Sequence, residues 1–281
     1  MKLSEFIRPK NLAEARKALR GLGPKGMALA GGTALHFLQG KTPVTAVDLT
    51  GLGLSYIKQK GDHFVIGAAT PLADIQRYRG PRWAMHEICR RISTHQIRNV
   101  STIGGNIARV FPWADLPVVL LAMGAKMVIY SGKEKEMGAD EYFSSQPARL
   151  FRDGELLTAV KIPVLKAHHG FGSVKATRNA AAFSLVTIAA LLELDGTLIK
   201  SARVAAGSGI PFPQRLKAAE AALVGRKADA EVFKAAAAAG GGAAKWVGGE
   251  GLSADYIRQL AEVSILDALE RAAEFARGRA E

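Results

Sequence analysis

Apolar and polar positions alternate in short blocks whose period changes along the chain. Residues 11–22 read as a helix, with Asn11 as N-cap, Glu14 three residues on, and Gly21 or Gly23 available to end it. Met27-Ala28-Leu29-Ala30 is a short apolar strand running into Gly31-Gly32. Thr33 to Leu38 then reads as a helix and Val44 to Leu49 as a strand. His63 to Ala68 predicts a strand, and Pro71 to Tyr78 and Trp83 to Ile97 predict helices. Leu116 to Met123 is an apolar helix candidate, Lys126 to Tyr130 a strand, and Glu155 to Pro163 a strand ended by its proline. Phe183 to Asp195 is apolar with Asp195-Gly196 behind it, a hairpin turn, and Ser201 to Gly207 is the returning strand. Leu216 to Val224, Ala228 to Ala239 and Ala254 to Arg277 are helical, with Gly240-Gly241-Gly242 expected to break the middle one. Strands alternating with helices, then a hairpin and helices, predict an α+β protein. Changes of pattern divide the chain into 1–56, 57–168 and 169–281.

Composition narrows the chemistry. The 281 residues are 48% hydrophobic and 22% charged, inside the globular range. Cys89 is the single cysteine, so a disulfide scaffold, a cysteine-built zinc site and an iron–sulfur cluster carried by this chain are all excluded. The first residues lack an apolar signal-peptide core, and the largely apolar stretch Leu185 to Leu194 is about half a membrane span. The expectation is a cytoplasmic protein with no membrane span.

The formal net charge of +13 invites a nucleic-acid reading. The excess is weighted toward the first sixty residues but spread out, densest over Arg77, Arg79, Arg82, Arg90, Arg91, Arg98 and Arg109. No run of five like charges and no aromatic-rich strand for stacking bases accompanies it, so no nucleic-acid partner is expected.

Two segments share one chemistry: Ala30-Gly31-Gly32-Thr33-Ala34 and Thr102-Ile103-Gly104-Gly105-Asn106. Each sets a glycine pair at the entrance to a predicted helix. Glycines allow close backbone approach, so N–H groups can point at phosphate oxygens, and a following helix adds partial positive charge. Thr33, Thr102 and Asn106 add side-chain donors. Two such loops can clamp the two phosphates of a dinucleotide. Neither matches the dinucleotide-binding G-x-G-x-x-G pattern or the P-loop pattern.

Together these loops resemble the paired FAD-binding loops of the medium (flavoprotein) subunits of molybdenum hydroxylases, the carbon monoxide dehydrogenase flavoprotein and xanthine dehydrogenase FAD-domain family. Phe6 with Pro9, Pro112-x-x-Asp115-Leu116-Pro117 and the segment Glu155 to Pro163 extend the resemblance over nearly the whole chain. It implies a vanillyl-alcohol-oxidase-type FAD-binding domain of two α/β subdomains, 1–56 and 57–168. A C-terminal flavoprotein domain follows, 169–281, with a three-stranded antiparallel sheet and helices. It implies that Ala30 to Ala34 and Thr102 to Asn106 hold the FAD pyrophosphate. Asp115 accepts from the adenosine ribose, Leu157 lines the cofactor through its backbone, and Lys175 lies near the flavin. Thr33 stands where some relatives of this fold carry a flavin-linking histidine, so non-covalent FAD is expected. The implied function is an electron-transfer subunit of an oxidoreductase. An iron–sulfur small subunit and a molybdenum-cofactor large subunit are the implied partners, with [2Fe-2S] clusters and molybdenum on those chains alone. An external acceptor such as NAD or a quinone is implied too. Two positions depart from the pattern. Phe111 stands where relatives have an acidic residue, and Ala182-Phe183-Ser184 where relatives have Asp-Phe-Ala.

Other chemistry is thin. His86 and His95 lack a metal-ligand helix spacing, and His168-His169 reads as linker. No acid/base pair is expected, so no side chain is assigned a catalytic role. A stand-alone FAD-dependent oxidoreductase of the same fold is the alternative function.

Overall fold

The structure, a computed structural model, describes residues 2–38, 43–249 and 251–278. They form two compact units. The first contains residues 1–78, 94–110 and 125–163, and the second contains 79–93, 111–124 and 164–281.

The first unit begins with β1 (Leu3–Ile7), α1 (Leu12–Leu22), β2 (Gly26–Leu29) and β3 (Val44–Asp48). These make a three-stranded parallel sheet in the order β1-β3-β2, with α1 packed on it. Asn11 caps α1 by accepting from the Glu14 N–H at 2.9 Å. The unit continues with β4 (Ile57–Lys60), β5 (His63–Gly67) and α2 (Leu72–Arg77). After the second unit contributes α3 (Met85–Arg90), the chain returns with α4 (His95–Val100) and α5 (Ile103–Ile107). The helix expected over 83–97 is divided because Ser93 takes a positive φ of 52° and Thr94 starts α4 as its N-cap. The second unit's α6 (Leu116–Met123) precedes β6 (Lys126–Tyr130), β7 (Glu134–Gly138), α7 (Ala139–Tyr142) and β8 (Leu156–Pro163). The five-stranded antiparallel sheet runs β4-β5-β8-β6-β7.

The second unit is built on β9 (His169–Ala176), β10 (Val186–Asp195), β11 (Leu198–Ser208) and the two-residue β12 (Gln214–Arg215), antiparallel in the order β12-β11-β10-β9. The expected three-stranded sheet is thus present, with a short fourth strand at its edge. β10 is buried on both faces, which is why its sequence is almost continuously apolar rather than alternating. One face receives α6, whose eight residues are all buried. Val118 of α6 meets the sheet at Gly207, where an added Cβ would lie 2.4 Å from it. The other face receives α10 (Ala254–Ala276), and β11 also packs on α8 (Lys217–Leu223), which leads into α9 (Ala230–Ala243). Gly240 to Gly242 do not break α9. A Cβ on Gly241 would lie 2.2 Å from Glu262 of α10, so close helix packing outweighs the poor helix propensity of glycine.

Candidate cofactor site

The two glycine loops meet inside the first unit. A Cβ on Gly31 would stand 1.9 Å from the Val100 carbonyl oxygen, so only glycine lets the first loop lie on the end of α4. Gly32 takes a φ of +66°, a conformation natural to glycine. Thr33 Oγ1 and Ser101 Oγ share a hydrogen bond of 2.7 Å, tying the loops side chain to side chain. The second loop is anchored by backbone: Gly104 N–H donates to Ala68 at 2.8 Å and Ile103 N–H to Thr70 at 3.1 Å. Gly104 has no room for a side chain, since its Cβ would lie 2.6 Å from that Ala68 oxygen.

The expectation of two equivalent loops does not survive in detail. The Thr33 to Leu38 helix is only a 3₁₀ turn, Leu35–Phe37. Gly104-Gly105 lies within α5, and Thr102 is its N-cap, its hydroxyl accepting from Gly105 N–H at 3.0 Å. Helices this short contribute little macrodipole. The donor supply is also uneven. Ile103, Gly104, Gly105 and Asn106 already spend their N–H groups on the protein. The N–H groups of Gly31, Gly32, Thr33 and Ala34 donate to no other described residue. The first loop therefore supplies the free backbone donors, and the second supplies close approach and one amide. The buried Asn106 Oδ1 has no hydrogen-bond partner among the described residues.

Both loops open on a cavity of about 450 Å³ inside the first unit. Ala30, Gly104, Gly105 and Leu157 line it, with Leu49 and Leu54 on its apolar wall and Arg20, Arg152, Asp153 and Glu155 as its charged groups. Its size falls in the range of small-molecule sites, roughly 300–1,000 Å³. Leu157 stands beside a β-bulge: Ile129 pairs with Leu157 and Val128 with Ala159, leaving Thr158 as the extra residue. Thr158 uses its carbonyl to accept from Ala68 N–H at 2.9 Å. The Asp153-Gly154 turn closes another side. Its Gly154 lies against α1, a Cβ there coming 2.3 Å from the Arg16 carbonyl oxygen. That turn is readable in sequence as an Asp-Gly pair, but nothing local links it to the glycine loops.

Asp115 and Lys175 belong to the second unit and are brought together there. Lys175 Nζ lies 3.0 Å from Asp115 Oδ2, and the side chains are 6% and 4% exposed. Asp115 Oδ1 accepts from Ser184 Oγ and, at 2.6 Å, from Thr187 Oγ1. Lys175 also donates to the Arg91 carbonyl at 3.0 Å. Ser184 and Thr187 carry no sequence signal for this role, because Ser184 precedes β10, Thr187 lies within it, and only the fold brings Asp115 to them.

The arginine-rich stretch is not one free basic face. It divides between the units. Arg77 pairs with Asp74 and Arg90 with Glu87. Arg98 is buried on Gln76, and Arg82 donates to the His169 and Phe275 carbonyls. Among the described residues no helix is long and apolar enough to cross a membrane.

A pair of glycine loops over an apolar cavity, on an α+β frame with an antiparallel C-terminal sheet, places the chain among cofactor-holding subunits. Residues 2–165 match the FAD binding domain in molybdopterin dehydrogenase, and residues 174–272 match the CO dehydrogenase flavoprotein C-terminal domain. The carbon monoxide dehydrogenase medium chain of Afipia carboxidovorans is 31% identical over 280 residues, covering 95% of this chain and 96% of the relative. The glyceraldehyde dehydrogenase medium chain of Sulfolobus acidocaldarius is 30% identical over 239 residues, 82% of this chain and 84% of the relative. A solved carbon monoxide dehydrogenase of Hydrogenophaga pseudoflava superposes with a TM-score of 0.90 at 28% identity, over 100% of this chain and 99% of that one. The chain belongs to the FAD-binding medium subunits of the molybdenum hydroxylases and is a component of an oxidoreductase. Its relatives are chains of multi-subunit enzymes.

Proposed function

We propose that this chain is the electron-transfer subunit of a molybdenum hydroxylase, standing between an iron–sulfur subunit and an external acceptor such as NAD or a quinone. The molybdenum cofactor and [2Fe-2S] clusters belong, in this reading, to the partner chains, because a single cysteine cannot ligate a cluster. The observation that carries the reading is the first loop: Ala30 lines an apolar cavity, and the next four residues, Gly31 to Ala34, have backbone N–H groups that donate to no other described residue.

The residues fit FAD. The N–H groups of Gly31 to Ala34 suit the pyrophosphate oxygens, and the absent side chains of Gly104 and Gly105 keep the second loop open to it. Asn106 Oδ1, buried and unpartnered, suits a hydroxyl or amino donor of the cofactor. Thr102 holds the second loop in shape as the cap of α5, and Ile103 anchors it to Thr70. Leu157 offers apolar contact and backbone at the bulge. On the family resemblance, Asp115 meets the adenosine ribose and Lys175 lies near the flavin. A carboxylate accepts about four hydrogen bonds. Asp115 receives three from Ser184, Thr187 and Lys175, so one position remains. Thr33 offers no covalent link, so the cofactor is held non-covalently. When bound, FAD supplies the exchange between one-electron and two-electron carriers. The protein binds and orients it, and no side chain is required as acid or base.

The test is reconstitution. The purified chain alone should turn over no hydroxylation substrate and gain that activity when its iron–sulfur and molybdenum partner chains are added. A lone chain that oxidises or reduces its own substrate would instead establish a stand-alone FAD-dependent oxidoreductase.

A further inference from the structure

We infer that His168, His169 and Glu193 form a binding site for a divalent transition metal of the zinc class at the start of β9. Sequence pattern assigns the two histidines to a linker. The structure instead makes His169 the first residue of β9, directly across the ladder from Glu193 of β10. Each of the three side chains presents one ligand atom, and these atoms lie within 4.8 Å of one another. His168 Nε2 is already 3.6 Å from Glu193 Oε1. Two donors bound tetrahedrally to one zinc ion, each at about 2.0–2.1 Å, sit roughly 3.4 Å apart. Little closure is needed.

The backbone under the site is held in place. Arg82 Nη2 donates to the His169 carbonyl at 2.5 Å, and Leu194 N–H donates to the His168 carbonyl at 2.9 Å. Gly170, next in sequence, lies so close to α10 that a Cβ would stand 1.8 Å from the Ala272 carbonyl oxygen. The carboxylate is oriented from outside the site, since Ser201 Oγ donates to Glu193 Oε2 at 2.9 Å. Oriented ligands of this kind raise metal affinity.

Ligand chemistry selects the metal. Two imidazoles and one carboxylate suit zinc, nickel, cobalt or copper rather than calcium or magnesium, which need oxygen ligands. Three protein ligands leave a position for water.

Two contacts oppose binding. Lys200 Nζ lies 3.2 Å from Glu193 Oε1, and Lys166 N–H donates to His169 Nδ1 at a long 3.3 Å. The Lys200 side chain is 67% exposed and can retract into water, and the Lys166 contact is weak. Lys200 is therefore a competitor for Glu193, and its removal should tighten the site.

The experiment is equilibrium dialysis of the tag-free, chelator-treated full chain against zinc chloride, with bound metal counted by mass spectrometry. The expected result is one zinc per chain. His168→Gln, at a side chain 45% exposed and so tolerant of change, should weaken binding about tenfold or more. His168→Gln with His169→Gln should abolish it, while Lys200→Ala should tighten it several-fold. His86→Gln should leave it unchanged. Zinc should also raise the thermal midpoint of the wild-type chain, less that of His168→Gln, and not that of the double variant. Absence of stoichiometric zinc, or His168→Gln binding as tightly as the wild type, would overturn the proposal.

Discussion

Lys175 Nζ lies 3.0 Å from Asp115 Oδ2 in a pocket where neither side chain is more than 6% exposed. A buried pair of this kind is stable only while both charges and their hydrogen bonds are present. Asp115→Ala strands the Lys175 ammonium and removes the acceptor for Ser184 and Thr187. The expected loss of stability is about 3–5 kcal/mol, read as a lower urea midpoint with unchanged slope. A loss under about 1 kcal/mol would show that water reaches the pair.

Gly31 and Gly105 separate folding from binding. Gly31→Ala drives a Cβ into the Val100 carbonyl, so the loop must move and stability must fall. Gly105 meets only Thr102 Oγ1, at 3.0 Å, and lines the cavity. Gly105→Val should therefore keep the fold, since valine is a slightly better helix former than glycine, while filling space needed by the cofactor. FAD affinity, measured by flavin fluorescence, should fall at least about tenfold, with little change in the unfolding midpoint.

Tyr142 is fully buried on α7, and its hydroxyl donates to the Ile107 carbonyl at 3.3 Å. Burial pushes its phenol well above the ordinary tyrosine range. The unfolded chain loses this proton near pH 10 while the folded chain keeps it. Above that pH the unfolded state binds fewer protons, so stability falls as pH rises, by up to about 1.4 kcal/mol per pH unit. Tyr142→Phe should flatten the alkaline limb of a stability profile without altering the plateau slope near neutrality. An unchanged alkaline limb would contradict the burial of an un-ionised phenol.

Cys89 is inaccessible within α3. Its thiol should resist a disulfide-exchange reagent in the folded protein and react in denaturant. Fast labelling of the native chain would contradict the packing around α3.

The elements legible in sequence were those whose own residues settle their structure. Asn11 and Glu14 mark the start of α1, and the apolar runs of β8 and β10 mark buried strands. β1, β4 and β7 were not legible. β7 is Glu-Lys-Glu-Met-Gly, almost wholly exposed, and is a strand only because β6 pairs with it. Gly240 to Gly242 misled for the same reason in reverse, since contact with Glu262 and Ile265 of α10 retains the helix. At the site, both glycine loops were legible as loops that admit close approach. Their different duties were not, because these depend on Val100, Ser101, Ala68 and Thr70, which only the fold brings to them. The cavity wall from Phe151 to Glu155 and the partners Ser184 and Thr187 escaped for the same reason.

The central claim is that this chain holds FAD without a covalent bond. Acid precipitation of the purified protein tests it most directly. The account predicts a yellow protein that releases about one FAD per chain into the supernatant and leaves a colourless pellet. A protein that stays colourless after incubation with FAD, or one whose flavin remains in the pellet, would contradict it.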